Sequence, residues 1–529
     1  MDILSFCNTY DGSGVGCKPC KTENLKMDQQ VENYKTGRGV ILAVAGSVAG
    51  LGHLWRFPIM IYRNGGGSFV VAYLVSIFTI GLFLMMAEIG MGHRFRVSLP
   101  LLLSRINRKF EILGWWMVSY LFFGVALYYS IVASWFIWYF LHSLTSTWHV
   151  SNVGIFSKKI FDISRGPYDF GLSNNQLVYI LGLMWLLNFL LSSVVKKRVL
   201  ELLNKILVVL LFALITFLVV YVFLDGGGMK GIAGYLRPDF AKMKEISVWG
   251  SAVSQALFGL SIGFGLLISF GSHLPSKSRI RESVFWSTVG NGVFAMVSGF
   301  IVFIGLNYIS NHGIHLKGNA YIGPEVPFLA YHAVLANLGS IGRIIAPLFF
   351  FLVGMCGIMS GLSIMDTVTS SMMDKLGWRR SGICAASSLI AFVCSIIFTF
   401  KSGIFWVDIL DHFIVGFALL LGTSLELMLI VFVIRPKVII EHIDVSDFHA
   451  PYFYKKVFEW VTKLAPLFMV VILLMVILEI ILSVMKPYKN YTWDVIVPFG
   501  FGWILLTILI AYILSSLHQR VTKGVSIKI

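Results

Sequence analysis

Charge is scarce in this sequence. Only 13% of its 529 residues are Asp, Glu, Lys or Arg, against 57% hydrophobic ones, too few charges to clothe a water-soluble surface of that length. Acidic residues are scarcer still, 26 against 42 Lys and Arg, which leaves a formal charge of +16. Those basic residues are spread over short segments between apolar runs rather than gathered on one folded face, which argues against nucleic acid as a partner. Cysteine is nearly absent, with six residues at 7, 17, 20, 356, 384 and 394. None falls in a segment assigned below to the outer side, so extracellular disulfides are not expected. The Cys17-Lys-Pro-Cys20 pair sits in a short polar tail with only Cys7 as a third thiol, a poor metal or redox motif. The first 35 residues are polar and lack the apolar run of a cleavable signal peptide. No HExxH, nucleophile elbow or paired catalytic carboxylates are present, so the chain does not read as an enzyme.

What is abundant is long apolar runs. A span of the bilayer needs roughly 20 apolar residues, and about twelve such windows can be placed. They lie near residues 40–62, 69–90, 113–142, 176–194, 199–224, 247–271, 284–309, 343–373, 382–400, 404–434, 461–484 and 494–516. The chain is therefore expected to be an all-α polytopic membrane protein with the lipid bilayer as its surroundings. Arg94, Arg96, Arg105, Arg108 and Lys109 follow the second window, Lys196 to Arg198 the fourth, Lys277, Arg279 and Arg281 the sixth, and Arg379 and Arg380 the eighth. Basic loops mark the cytoplasmic side, which places both termini inside a cell membrane.

Two windows are interrupted. The stretch Gly39 to Pro58, GVILAVAGSVAGLGHLWRFP, carries Gly46, Gly50 and Gly52, and Phe258 to Gly265, FGLSIGFG, again carries three glycines. Glycine is costly inside a helix, so each cluster reads as a break. Non-helical backbone at membrane depth is tolerated only where it faces protein or a water-filled cavity. Two broken spans at corresponding places in two halves of a chain point to the binding site of a secondary transporter. Spans one to five and six to ten then form an inverted repeat of five plus five, with two spans appended. The expected organisation is a tail at 1–35, a ten-helix core at 36–435 and the appended spans at 436–529. Glu88 in span two reads as a satisfied structural carboxylate. Tyr128 and Tyr129 point different ways from their helix, so at most one can serve a central site, and by themselves both read as packing residues. The segments 143–175, 225–244 and 311–338 are long enough for short outer helices, and Asn490-Tyr491-Thr492 is a sequon in a tight turn close to the membrane.

GLGHLWRFP followed by NGGGSF, LYYSIVASW in span three, QALFGLSIGFG in span six, SGF after Asn291 in span seven and LDHF to LEL in span ten resemble the neurotransmitter:sodium symporters (solute carrier family 6). The resemblance covers roughly residues 35 to 435 and implies a secondary active transporter with no cofactor beyond a possible sodium ion. It implies a substrate carboxylate held by the amides of Leu51 and Gly52 and the hydroxyl of Tyr129, which suits the partial positive charge of helix-terminal amides. The amine is implied to meet carbonyls at Val48, Phe258 and Gly259, with Ser261 nearby. Gly50 stands where monoamine carriers of the family have an aspartate, so the resemblance favours an amino acid. The implied side-chain pocket is Val125, Phe258, Ser261, Phe264, Ser360 and Ile364, apolar enough to favour small neutral amino acids.

The resemblance also implies an outer latch of Arg56 with Asp411 and an inner one at Asp374, where the tail arginine falls on Val31 and the tail tryptophan on Tyr34; Lys35 or Arg38 could substitute. Of the first sodium site, His53, Gly259 and Asn291 occupy the ligand positions, two of them without the family's oxygen. The second would keep Gly46, Ala49, Cys356 and Ser360, with Val48 adjoining and Met359 in place of an oxygen ligand, a poor exchange for a hard cation. The chloride position keeps Tyr73, Gln255 and Asn291 but has Ala295 and Gly259 in place of hydroxyls, so chloride coupling is not expected. The driving cation stays open between sodium and a proton on His53, with a neutral, hydrogen-bonded His53 as the alternative. A non-transporting membrane scaffold or sensor is the competing functional class.

Overall fold

The computed structural model describes residues 50–145, 159–195, 197–224, 235–311, 323–446, 451–485, 488 and 491–518. Among these residues, nine helices are long and apolar enough to cross a membrane: Gly67–Phe95, Arg108–Ser143, Asn175–Val194, Leu202–Leu224, Ile280–Ser310, Gly342–Leu376, Arg380–Thr399, Gly403–Ile434 and Trp493–Ser516. They correspond to windows two to five, seven to ten and twelve. Window eleven is a pair, Tyr452–Lys463 and Ala465–Leu478, bent by 50°, and only its second member is continuously apolar. The chain is an all-α polytopic membrane protein; window six is interrupted, and window one is described from Gly50 onward.

In the first window Gly50 is a bend, after which the chain runs on through Gly52–Arg56 and Phe57–Arg63. The sixth span ends its first half, Ile246–Gly259, and resumes as Leu266–Ser272. Between the halves Ser261, Gly263 and Gly265 have φ of 59°, 81° and 72°, the left-handed region that glycine tolerates and a helix does not contain. The freed backbone is held by neighbours. The amide of Gly263 donates to Glu88 Oε1 of span two at 2.7 Å, and the hydroxyl of Tyr120 in span three donates to its carbonyl. Glu88 thus has a structural partner, and that partner is the break itself.

Four spans widen beside the breaks into the looser π-type turn: Gly52–Arg56 in span one, Ile77–Gly81 in span two, Leu121–Ala126 in span three and Ile414–Ala418 in span ten. Such turns re-aim side chains and occur often at functional sites. The third and eighth spans pack along each other, and both halves of span six lie against span two. The short helix expected in 311–338 is present as Val326–Asn337. It is tied to span one where Tyr331 donates to the Leu54 carbonyl at 2.5 Å and Trp55 donates to that of Pro324 at 2.8 Å.

Candidate functional site at the two breaks

The breaks meet around a cavity of ≈ 190 Å³. Its centre is lined by Gly50, Gly52, Val125, Tyr129, Phe258, Gly259, Ser261, Phe264, Ser360 and Ile364, every described side-chain or backbone position expected there except Leu51. The Leu51 side chain is buried on another face of its turn, with Gly357 behind it, while its backbone, the part expected to act, faces the Tyr129 hydroxyl. Val48, Gly46, Ala49 and Tyr34, with Val31, Lys35 and Arg38, lie outside the described residues. From this centre the lining runs through His273 to Ser192, Asp366 and Arg380, at the end of the bundle that carries the basic loops.

The polar geometry at the centre is specific. The Gly52 amide donates to the Tyr129 hydroxyl at 2.9 Å, so the amide hydrogen is taken up by the phenol oxygen and the phenol proton is the donor directed onward. An O–H backed in this way by an amide suits a carboxylate. The close approach depends on Gly52, because a Cβ there would stand 2.7 Å from Cε1 of Phe258. Phe258 packs edge-on against Tyr129 at 6.3 Å. Its carbonyl accepts from the Ser261 amide at 3.1 Å, so one of the carbonyls expected to receive an amine already carries one hydrogen bond.

On the side away from the basic loops the cavity is capped by charge. Arg56 Nε donates to Oδ1 and Oδ2 of Asp411 at 2.9 and 3.0 Å, both side chains being buried. The guanidinium lies 5.4 Å from the centre of the Phe258 ring and also donates to Gln255 Oε1. Tyr128 donates to Asp411 Oδ1 at 3.1 Å. Reading Tyr128 as a packing residue is corrected by that bond: it faces span ten and Tyr129 faces span one, as their 100° separation on a helix requires. Asp374 accepts from the Ser98 amide at 2.9 Å, and the charges of its tail partners lie outside the described residues.

His53 fills the position opened by Gly259. A Cβ on Gly259 would stand 3.1 and 3.3 Å from Cε1 and Nε2 of the imidazole. Neither ring nitrogen of His53, nor Oδ1 of Asn291, has a hydrogen-bond partner among the described residues. Asn291 Nδ2 donates to the Tyr73 hydroxyl at 2.9 Å, and Gln255 is turned to Arg56, so these side chains are engaged with protein. Ser360 donates to the Cys356 carbonyl at 3.1 Å, which brings together two oxygens expected at the second ion site. Met359 lines the cavity beside them.

Comparison with known proteins decides the family. The sodium:neurotransmitter symporter family matches residues 31–155 and 149–522. Over 415 residues, 78% of this chain and 84% of the relative, the sequence is 33% identical to an uncharacterized sodium-dependent transporter of Methanocaldococcus jannaschii. The chain belongs to the sodium:neurotransmitter symporter family. This symporter is also 23% identical over 495 residues to a sodium- and chloride-dependent glycine transporter 1 of Xenopus laevis, across 82% of this chain and 77% of that one. To a human sodium- and chloride-dependent neutral and basic amino acid transporter B(0+) it is 25% identical over 488 residues, 78% of this chain and 75% of the relative. As a family member with its many apolar helices, it is a multi-pass membrane transport protein.

Sequence reasoning missed a second charged cluster in this symporter, one layer further out. Arg63, Asp408, Tyr488 and Tyr491 meet there. Arg63 lies seven residues beyond Arg56 and Asp408 three before Asp411, spacings that keep each pair on one helix face. That periodicity was the available signal.

Proposed function

We propose that the protein is a symporter of small neutral amino acids, working by alternating access around the cavity at the two breaks. The observation that carries this reading is the pairing of the Gly52 amide with the Tyr129 hydroxyl at 2.9 Å, beside apolar Val125, Phe264 and Ile364 in one cavity. The phenol O–H, polarised by that amide, favours an anion, and Gly50 adds no carboxylate to receive a lone amine. The substrate thus brings its own carboxylate, and the apolar walls select against a charged side chain. The glycine named for one relative and the neutral and basic amino acids named for another support an amino-acid substrate; the preference for a neutral side chain rests on the apolar walls alone. The basic loops are cytoplasmic under this reading, so Arg56 and Asp411 close the outer side and the cavity runs inward.

Sodium is the driving ion, held by Gly46, Ala49, Cys356 and Ser360. A second sodium is displaced by the imidazole of His53, which occupies the space between Gly259 and Asn291. One coupling ion rather than two follows, with uptake rising hyperbolically with sodium. Competition between labelled amino acids and their decarboxylated amines tests the substrate class. The amino acid must displace the label at concentrations at least tenfold lower, and equal potency of the amine overturns the proposal.

A further inference from the structure

Asp408 is buried in span ten, and three groups converge on its carboxylate. Arg63 Nη2 donates to Oδ1 at 2.8 Å, Tyr488 to Oδ1 at 3.3 Å and Tyr491 to Oδ2 at 3.2 Å. Tyr488 also receives a hydrogen bond from Arg63 Nη1 at 2.9 Å, so one phenol bridges both members of the ion pair. Its ring lies flat on His412 of span ten, 3.7 Å between centroids and 4° from parallel. Tyr488 and Tyr491 belong to the turn between the two appended spans, whereas Arg63 ends span one.

From this convergence we infer that Tyr488 and Tyr491 are positioning residues of the outer latch, through which the appended spans hold spans one and ten together. The inference rests on the transport reading above. Arg56–Asp411 and Arg63–Asp408 form two rungs between the same two helices, so the outer side opens only when both rungs part. A carboxylate taken from water must keep its hydrogen bonds, and buried charges are stable only when fully partnered. The tyrosines supply those bonds to Asp408 in the closed arrangement. Parting Arg63 from Asp408 breaks the Tyr488 bridge as well, which makes the second rung harder to open than an isolated ion pair. The appended spans thereby bias the protein toward the outward-closed state without touching substrate.

Tyr488→Phe and Tyr491→Phe test this, since each removes a hydroxyl while keeping the ring and, for Tyr488, the stack on His412. In proteoliposomes, the KM for external substrate is expected to fall about three- to tenfold in the double variant while the maximal rate also falls, because outward-open states are favoured at the expense of closure. Hydrogen exchange of the amides of Phe57–Arg63, measured without substrate, is expected to quicken by a similar factor. A variant that merely misfolds loses maximal rate with KM unchanged. Unaltered KM and exchange in a double variant that expresses normally overturn the inference. If the wild type carries no amino acid, the transport reading fails instead, and the exchange measurement still decides the latch.

Discussion

The fit of His53 against Gly259 can be tested by refilling the space. A methyl group on Gly259 would meet Cε1 of His53 at 3.1 Å and Nε2 at 3.3 Å, inside the ~3.5–4.0 Å of an ordinary carbon contact. The imidazole has little room to retreat: it is 1% exposed, its edge meets Phe294 at 5.9 Å, and the hydroxyl of Ser298 holds its carbonyl at 2.7 Å. Overpacking of this kind costs about 1 to 3 kcal/mol. Gly259→Ser alone should therefore lower the apparent unfolding temperature of the detergent-solubilised protein. Combined with His53→Asn, whose side chain is shorter, most of that loss should be recovered, a coupling of about 1 to 2 kcal/mol between the two positions. The same double variant places two oxygen-bearing side chains next to Asn291, and its uptake should depend more steeply on sodium than that of the wild type. Additive unfolding shifts, with Gly259→Ser no better tolerated beside asparagine than beside histidine, would refute the packing argument.

Other perturbations follow from the site and from its basic end. Tyr129→Phe removes the hydroxyl that meets the Gly52 amide and should weaken amino-acid binding by about 1 to 3 kcal/mol in equilibrium binding, with no comparable loss for the decarboxylated amine. Arg56→Gln and Asp411→Asn each leave a buried charge without its partner and should cost about 3 to 5 kcal/mol of stability; the double variant should lose less than the sum, and additivity of unfolding shifts would show that the two do not meet in solution. At the basic end, His442 in the Pro436–Ser446 helix faces Nδ1 of His93 at 2.9 Å, while His93 Nε2 donates to the Pro275 carbonyl at 2.7 Å. Burial, His93, Arg94 and Arg96 push His442 down to about 4, so the folded arrangement favours its neutral form. Its contribution is then present above about pH 6.5 and lost as pH falls toward 4; hydrogen exchange of Pro436–Ser446, corrected for intrinsic rate, should quicken over that range and do so less in His442→Gln.

The spans were legible because a membrane leaves little choice: a 20-residue apolar window is a helix or nothing. The break in span six was legible for the related reason that three clustered glycines are hard to place in any other membrane structure. Its limits were not, since the first half of span six continues to Gly259 and stops only where Ser261, Gly263 and Gly265 turn left-handed. The pairing of Arg56 with Asp411 was reached through family resemblance, not through spacing. Tyr128 was misread because a tyrosine beside another carries no mark of which faces the site. In the Arg63, Asp408, Tyr488 and Tyr491 cluster the spacing from Arg56 and Asp411 was a signal for the first two residues, whereas the approach of the two tyrosines from the last turn is visible only in the packed bundle. The π-type turns at Leu121–Ala126 and Ile414–Ala418 have no sequence signature comparable to the glycines.

Under the proposed function, the cavity at the breaks carries an amino acid by its carboxylate, driven by sodium. Uptake of labelled small neutral amino acids into proteoliposomes, under an imposed inward sodium gradient and separately under an inward proton gradient, tests it most directly. Accumulation above equilibrium is expected with sodium outside, with a hyperbolic sodium dependence and loss of uptake in Tyr129→Phe at subsaturating substrate. Accumulation driven by the proton gradient alone would contradict the assignment of the ion. Absence of uptake of any amino acid by well-folded protein under either gradient would contradict the transport of amino acids itself.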